Sequence, residues 1–90
     1  MGNAEFELIS RKAVAGWYSQ NREEITANNV YVVWVCKALQ NNKALLATTK
    51  PDGMYFEVTY NGDKSEMYLD AYSKVENIPI PIKEDNNHEN

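Results

Sequence analysis

Between residues 30 and 74 the chain alternates short apolar runs with clusters of turn-forming residues. The runs are broken at Gln40-Asn41-Asn42, at Lys50-Pro51-Asp52-Gly53 and at Asn61-Gly62-Asp63. These residue types preset or tolerate turn backbone, so the punctuation predicts a four-stranded antiparallel meander. The strands fall near residues 30–39, 43–50, 54–60 and 64–74. β-Branched and aromatic side chains dominate the first and third, as packing on a pleated surface favours. The second, Ala44-Leu45-Leu46-Ala47, has helical propensity too. Turns on both sides leave it about eight residues, too few for a self-supporting helix.

Ahead of the meander, residues 3–20 carry apolar positions at helical spacing. Phe6, Ile9, Ala13 and Trp17 form a stripe that Leu8, Val14 and Tyr18 widen. Asn3 is placed to cap this helix, and Glu5 and Glu7 suit the positive end of its dipole. Its polar face is not rich in Lys and Arg, which argues against a helix lying on a membrane surface. Residues 21–29 are polar and read as a connector, with Thr26 able to start one short turn through Asn29. After Glu76 the chain becomes Asn77-Ile78-Pro79-Ile80-Pro81-Ile82, an extended polyproline-like segment suited to lying along the body. A polar tail follows. The expected architecture is α+β, with an N-terminal helix packed on one face of a four-stranded antiparallel β-meander. Residues 1–76 form a single domain, and residues 77–90 form an extended, flexible Pro/Ile segment and tail.

Strand alternation assigns side chains to faces. Met54, Phe56, Val58 and Tyr60 share the face toward the helix, as do Met67, Leu69 and Ala71. A loop of Asn61-Gly62 sets Glu57 opposite Glu66, whereas a loop of Gly62-Asp63 sets it opposite Tyr68. Like charges face to face are unfavourable, so the second register is preferred. A three-residue loop at Pro51-Asp52-Gly53, with Gly53 in the left-handed position, turns Ala44, Leu46 and Thr48 inward. A similar loop at Gln40-Asn41-Asn42 turns Val32, Trp34, Cys36 and Ala38 inward, and Tyr31, Val33, Val35, Lys37 and Leu39 outward. This choice keeps Lys37 out of the core. The uncovered face then carries Tyr31, Val33, Val35, Leu45, Tyr55, Tyr68 and Tyr72, together with Glu57 and Asp70. A solvated sheet face reads as polar, so this one calls for a partner protein, a second copy, or cover by the Ile-Pro-Ile tail.

Composition narrows the chemistry. The 90 residues carry one cysteine and a formal net charge of -4. A single thiol excludes an internal disulfide and suits a reducing, cytoplasmic setting. No apolar run is long enough to span a bilayer, no signal-peptide pattern opens the chain, and Phe6 stands where an acylation signal needs Ser or Thr. An acidic balance argues against general nucleic-acid binding. Lys37, Lys43, Lys50 and Asp52 give the first hairpin +2, and Glu57, Asp63, Glu66, Asp70, Lys64 and Lys74 give the second -2. That is ordinary surface charge drawing neighbouring strands together.

Cys36, read as pointing into the core, and His88, in the tail, have no reason to meet. Paired metal-ligand spacings and a glycine-rich phosphate loop are both missing from the sequence, so neither metal nor cofactor is expected. Glu57, Glu66 and Asp70 share an open face without the cleft that acid–base catalysis requires. The outer tyrosines with the basic first hairpin offer an alternative, a small nucleic-acid-binding module on which bases stack. Among those carboxylates, however, the aromatics suit a protein partner better.

The segment Val30-Tyr31-Val32-Val33-Trp34, with Cys36-Lys37, Leu39-Gln40-Asn41 and Lys43-Ala44-Leu45-Leu46, resembles a family of small uncharacterised proteins encoded by phages and prophages of Gram-positive bacteria. Pro51-Asp52-Gly53-Met54-Tyr55, Thr59-Tyr60-Asn61-Gly62-Asp63-Lys64 and Tyr68-Leu69-Asp70 fit it as well. The likeness covers about residues 30–72 and brings no activity or site residues with it. It implies phage origin and an accessory role. The expected function is therefore a non-enzymatic phage or prophage accessory protein. It acts by protein–protein interaction or self-association, as a dimer or with a host or phage protein, through the outer sheet face.

Overall fold

The computed structural model describes residues 1–83. Helix α1 (Asn3–Asn21) leads through a short 3-10 turn (Ala27–Asn29) into β1 (Val30–Ala38), β2 (Asn41–Thr48), β3 (Met54–Asn61) and β4 (Glu66–Ser73). The strands form one antiparallel sheet in the order β1-β2-β3-β4, an open meander with α1 on one face. This is the α+β arrangement that the pattern of turns predicts.

Along α1 the buried positions are Phe6, Ser10, Val14 and Tyr18, one per turn. The stripe therefore centres one residue away from the one read in the sequence, and Ile9, Ala13 and Trp17 flank it, half-buried. The helix begins differently too: Asn3 is its first residue, Gly2 is the cap, and no side chain closes the first turn. Across from the stripe lie Ala44, Leu46, Phe56 and Val58, all fully buried, with Val30 and Met54 completing the core. Trp17, Tyr18 and Phe56 meet as three mutually tilted rings with centroids 5.1 to 5.7 Å apart. The helix end is clamped to the turn between β2 and β3. Tyr18 donates its phenolic proton to Asp52, Arg22 lies 3.5 Å from the same carboxylate, and Lys50 pairs with Glu23. The other Asp52 oxygen accepts from the Met54 amide at 3.1 Å, so one turn residue organises strand start and helix end together.

All three turns differ in length from those read in the sequence. Ala38 pairs with Asn41, so Leu39 and Gln40 alone connect β1 and β2, with Leu39 at φ 57°. Residues 49–53 connect β2 and β3, with Gly53 in the left-handed region at φ 72° as expected. Asn61 pairs with Glu66, and Ser65, at φ 54°, takes the left-handed position in a four-residue loop. Gly62 serves another purpose. A Cβ there would lie 2.1 Å from the carbonyl oxygen of Gln40, so the two turns at this end of the sheet touch only because Gly62 has no side chain.

The first strand departs most from expectation. Val32 pairs with Leu46 but Trp34 pairs with Leu45, so Val33 is an extra residue in a β-bulge. The two-residue turn places Val35, next to Ala44, on the helix side. Unbroken alternation from there would send Val30 and Val32 outward. The bulge resets the alternation so that both return to the core. Trp34, Cys36 and Ala38 therefore face away from the helix, contrary to the sequence reading, and Cys36 is an exposed thiol. Val35 packs against the core instead of facing out. Lys37 is on the helix side yet stays in solvent, so this placement buries no charge.

Candidate functional site

The strand registers define the outer face as four rows running across the sheet. Tyr31, Ala47, Tyr55 and Tyr72 form the first, and Trp34, Leu45, Glu57 and Asp70 the second. Cys36, Lys43, Thr59 and Tyr68 form the third, and Ala38, Asn41, Asn61 and Glu66 close the sheet at its turn end. Among the described residues, no element covers these rows. Tyr31 is 52% exposed, Tyr72 51%, Tyr68 45% and Trp34 42%. Ala47 is buried on this face because larger neighbours shade it, with Tyr31 and Tyr55 as its cross-strand partners.

Of the residues assigned to this face from the sequence, Tyr31, Leu45, Tyr55, Glu57, Tyr68, Asp70 and Tyr72 are there. Val33 is exposed in the bulge. Val35 belongs to the opposite face, for the reason given above. Trp34 is the member that sequence reasoning missed. A bulge formed without glycine leaves no compositional mark, so only the two-residue turn at Leu39-Gln40 held the clue. The Ile-Pro segment does not supply the cover, since Ile78, Ile80 and Ile82 are 64%, 75% and 76% exposed. His88 and the rest of residues 84–90 lie outside the described residues.

The centre of the face is acidic. Glu57 lies directly opposite Asp70, a pairing that neither register weighed from the sequence contains. Cross-strand like charges destabilise, and here Lys43 offsets them by approaching Glu57 at 3.4 Å. Tyr55 and Thr59 flank Glu57 along β3, while Tyr68 and Tyr72 flank Asp70 along β4. The Lys74 ammonium sits 6.0 Å from the centre of the Tyr55 ring. The Tyr68 hydroxyl donates to Glu66, and losing that hydrogen bond on ionisation holds its pKa above the usual tyrosine value.

Two hollows open on the molecule, the first on this face and the second on the helix side. One of about 310 Å³ lies at the turn end between Cys36, Lys43, Thr59 and Tyr68. The other, about 440 Å³, lies between α1 and β4, lined by Ile9, Ala13, Val58, Met67 and Leu69 with Lys12 as its one charged residue. Among the described residues, no group of three or more His, Cys, Asp or Glu side chains converges. None of the described helices is long and apolar enough to cross a membrane. What the face offers is large, rigid aromatic area around an acidic pair, the combination that supplies anchor residues at protein interfaces.

Neither the curated proteins nor the solved structures contain a match to this chain. A family profile does match, over residues 7–82, which takes in most of α1, the whole sheet and the Ile-Pro segment. On that extent the chain belongs to the family of unknown function DUF6275.

Proposed function

We propose that this protein is a non-enzymatic interaction module whose outer sheet face binds an arginine-bearing surface of another protein. The observation that carries this reading is the uncovered aromatic face, with Trp34, Tyr55, Tyr68 and Tyr72 around the Glu57–Asp70 pair. A guanidinium satisfies both parts at once, stacking on a ring while its planar donors engage carboxylates. Glu57, Glu66 and Asp70 outnumber Lys43 and Lys74 on this face, three acids to two bases. That balance opposes single-stranded nucleic acid, and it opposes two copies meeting through this face. The resemblance noted in the sequence adds the setting: an accessory factor of a phage or prophage, in the cytoplasm of a Gram-positive host.

Titrating isotope-labelled protein with an arginine-rich peptide, a glutamate-rich peptide and a single-stranded oligonucleotide, each at low salt, tests the reading by amide shift mapping. The arginine peptide is expected to shift residues of β3 and β4 around Glu57 and Asp70, and the other two to leave them unmoved. Salt-sensitive shifts with the oligonucleotide would replace this reading by the nucleic-acid one. An arginine peptide that shifts nothing on this face would refute it.

A further inference from the structure

We infer that the segment Ile78-Pro79-Ile80-Pro81-Ile82 is a fifth strand that pairs with the open edge of β4 in a second copy of the chain, filling the groove between α1 and β4. Three independent features meet in this assignment, and it is separate from the outer face.

The first is the edge. Lys74 N–H donates to the Gly53 carbonyl at 2.8 Å, extending the β3–β4 ladder, whose register runs unbroken from Asn61↔Glu66 to Met54↔Ser73. Antiparallel pairing alternates which residues face the partner strand, so the even-numbered residues of β4 point their amides and carbonyls at β3. Met67, Leu69 and Ala71 turn theirs to the open edge, while their side chains lie on the helix side. The opposite edge of the sheet is guarded by the Val33 bulge and by Lys37, two devices that discourage strand addition. β4 has no bulge.

The second is the groove. Met67 and Leu69 form one wall, Ile9 and Ala13 the other, and Val58 lies between them. Side chains from a strand beside β4, pointing to the helix side, would enter this space.

The third is the pattern of the segment. In an extended strand alternate residues share both a side-chain face and a hydrogen-bonding edge. Ile78, Ile80 and Ile82 would therefore present their side chains to the groove and their N–H and C=O groups to Met67, Leu69 and Ala71. Pro79 and Pro81, which lack N–H, would occupy the far edge, where a missing donor costs nothing. Ile78 and Ile80 each precede a proline and are thereby held extended. Residues 77–82 reach roughly 20 Å at ~3.3 Å per residue, enough for most of β4. Glu76 precedes the segment and complements Lys12 at the groove. The family match ends at residue 82, so it takes in the segment whole.

A second copy is the donor because the chain does not turn back on itself. Residues 74–83 leave β4 without regular structure, and all of them are exposed. A tight hairpin back onto β4 would put Lys74 and the β-branched Val75 at its turn, where glycine or asparagine is needed. A two-fold axis lets each copy's segment lie on the other's β4, and the prolines then close both new edges, giving a dimer and not a fibre.

The test uses the full chain. Solution mass should be twice that of one chain. A sample mixing two differently labelled populations should give intermolecular contacts between the isoleucine methyls and Met67 or Leu69. Ile80→Asp should weaken self-association by about tenfold or more, since it puts a charge in the groove, with thermal unfolding of the monomer unaltered. The pair Pro79→Ala with Pro81→Ala should reopen the edge and produce species larger than a dimer. The outer-face pair Tyr55→Ser with Tyr68→Ser should leave the dimer intact, which separates this inference from the reading of the outer face. A chain that stays monomeric up to millimolar concentration, contacts found only within one chain, or an Ile80→Asp protein that still dimerises would each overturn the assignment.

Discussion

The two faces of the sheet are built from alternate residues of the same strands, yet they do opposite things. On the helix side Leu46, Phe56 and Val58 have no exposed surface, and their worth is stability. One residue along, Leu45, Tyr55 and Glu57 belong to a face that no described element covers. Burying the first set holds the fold, whereas leaving the second set in water contributes little to it. On the function proposed above, that uncovered aromatic face is where a partner docks. Substitutions at neighbouring positions should therefore diverge sharply.

The widest divergence is expected at Phe56 and Tyr55. Phe56→Ala removes a fully buried ring that meets Trp17 and Tyr18, and should cost about 3–5 kcal/mol in denaturant unfolding. Tyr55→Ala should cost roughly 1 kcal/mol or less. Next come Val35 and Trp34, which test the two-residue turn that sets the faces of this half of β1. Val35→Asp forces a charge against the core and should destabilise by about 2 kcal/mol or more, while Trp34→Asp, in solvent, should stay within about 1 kcal/mol. Were the β1–β2 turn three residues long, as its composition suggests, the two results would exchange.

Tyrosine titration extends the contrast to pH. Burial, reinforced by the hydrogen bond to Asp52, raises the pKa of Tyr18 above its ordinary value of 10.0. The folded state then holds the phenolic proton more tightly than the unfolded chain. Stability from this source is complete below pH 10.0 and falls as pH rises through that value toward the raised folded one. Tyr18→Phe should flatten the decline in unfolding midpoint above about pH 10. Tyr68→Phe should change it far less, because the Glu66 bond responsible lies in solvent. The smallest effect belongs to Lys43→Met. It frees the Glu57–Asp70 repulsion on an open face, a loss of about 0.5 kcal/mol that added salt should reduce.

How much of this was legible in the sequence depends on whether an error in register was even or odd. Both the β2–β3 and β3–β4 pairings lie two residues from those the turn residues implied. A shift of two leaves every side chain on its face, so Leu46, Phe56, Leu69, Tyr55 and Tyr68 were placed correctly from pattern alone. Between β1 and β2 the shift is odd up to Trp34 and even beyond the bulge. Tyr31 and Val32 were therefore legible, while Trp34, Val35 and Cys36 were not. The acidic pair at the centre of the face was hidden for a related reason: a four-residue loop closed by Ser65 at positive φ lies outside what Asn-Gly chemistry suggests. The role of Asp52 was equally unreadable, because it depends on where the end of α1 comes to rest.

The central claim is that the outer face binds while the inner face folds. The most direct test is the double variant Tyr55→Ser with Tyr68→Ser, measured side by side with the native protein for thermal unfolding and for affinity toward an arginine-bearing partner. The account predicts an unfolding midpoint within a few degrees of native, by roughly 4–8 °C per kcal/mol lost, and an affinity lower by about tenfold or more. Unchanged affinity, or a variant that no longer folds, would contradict it.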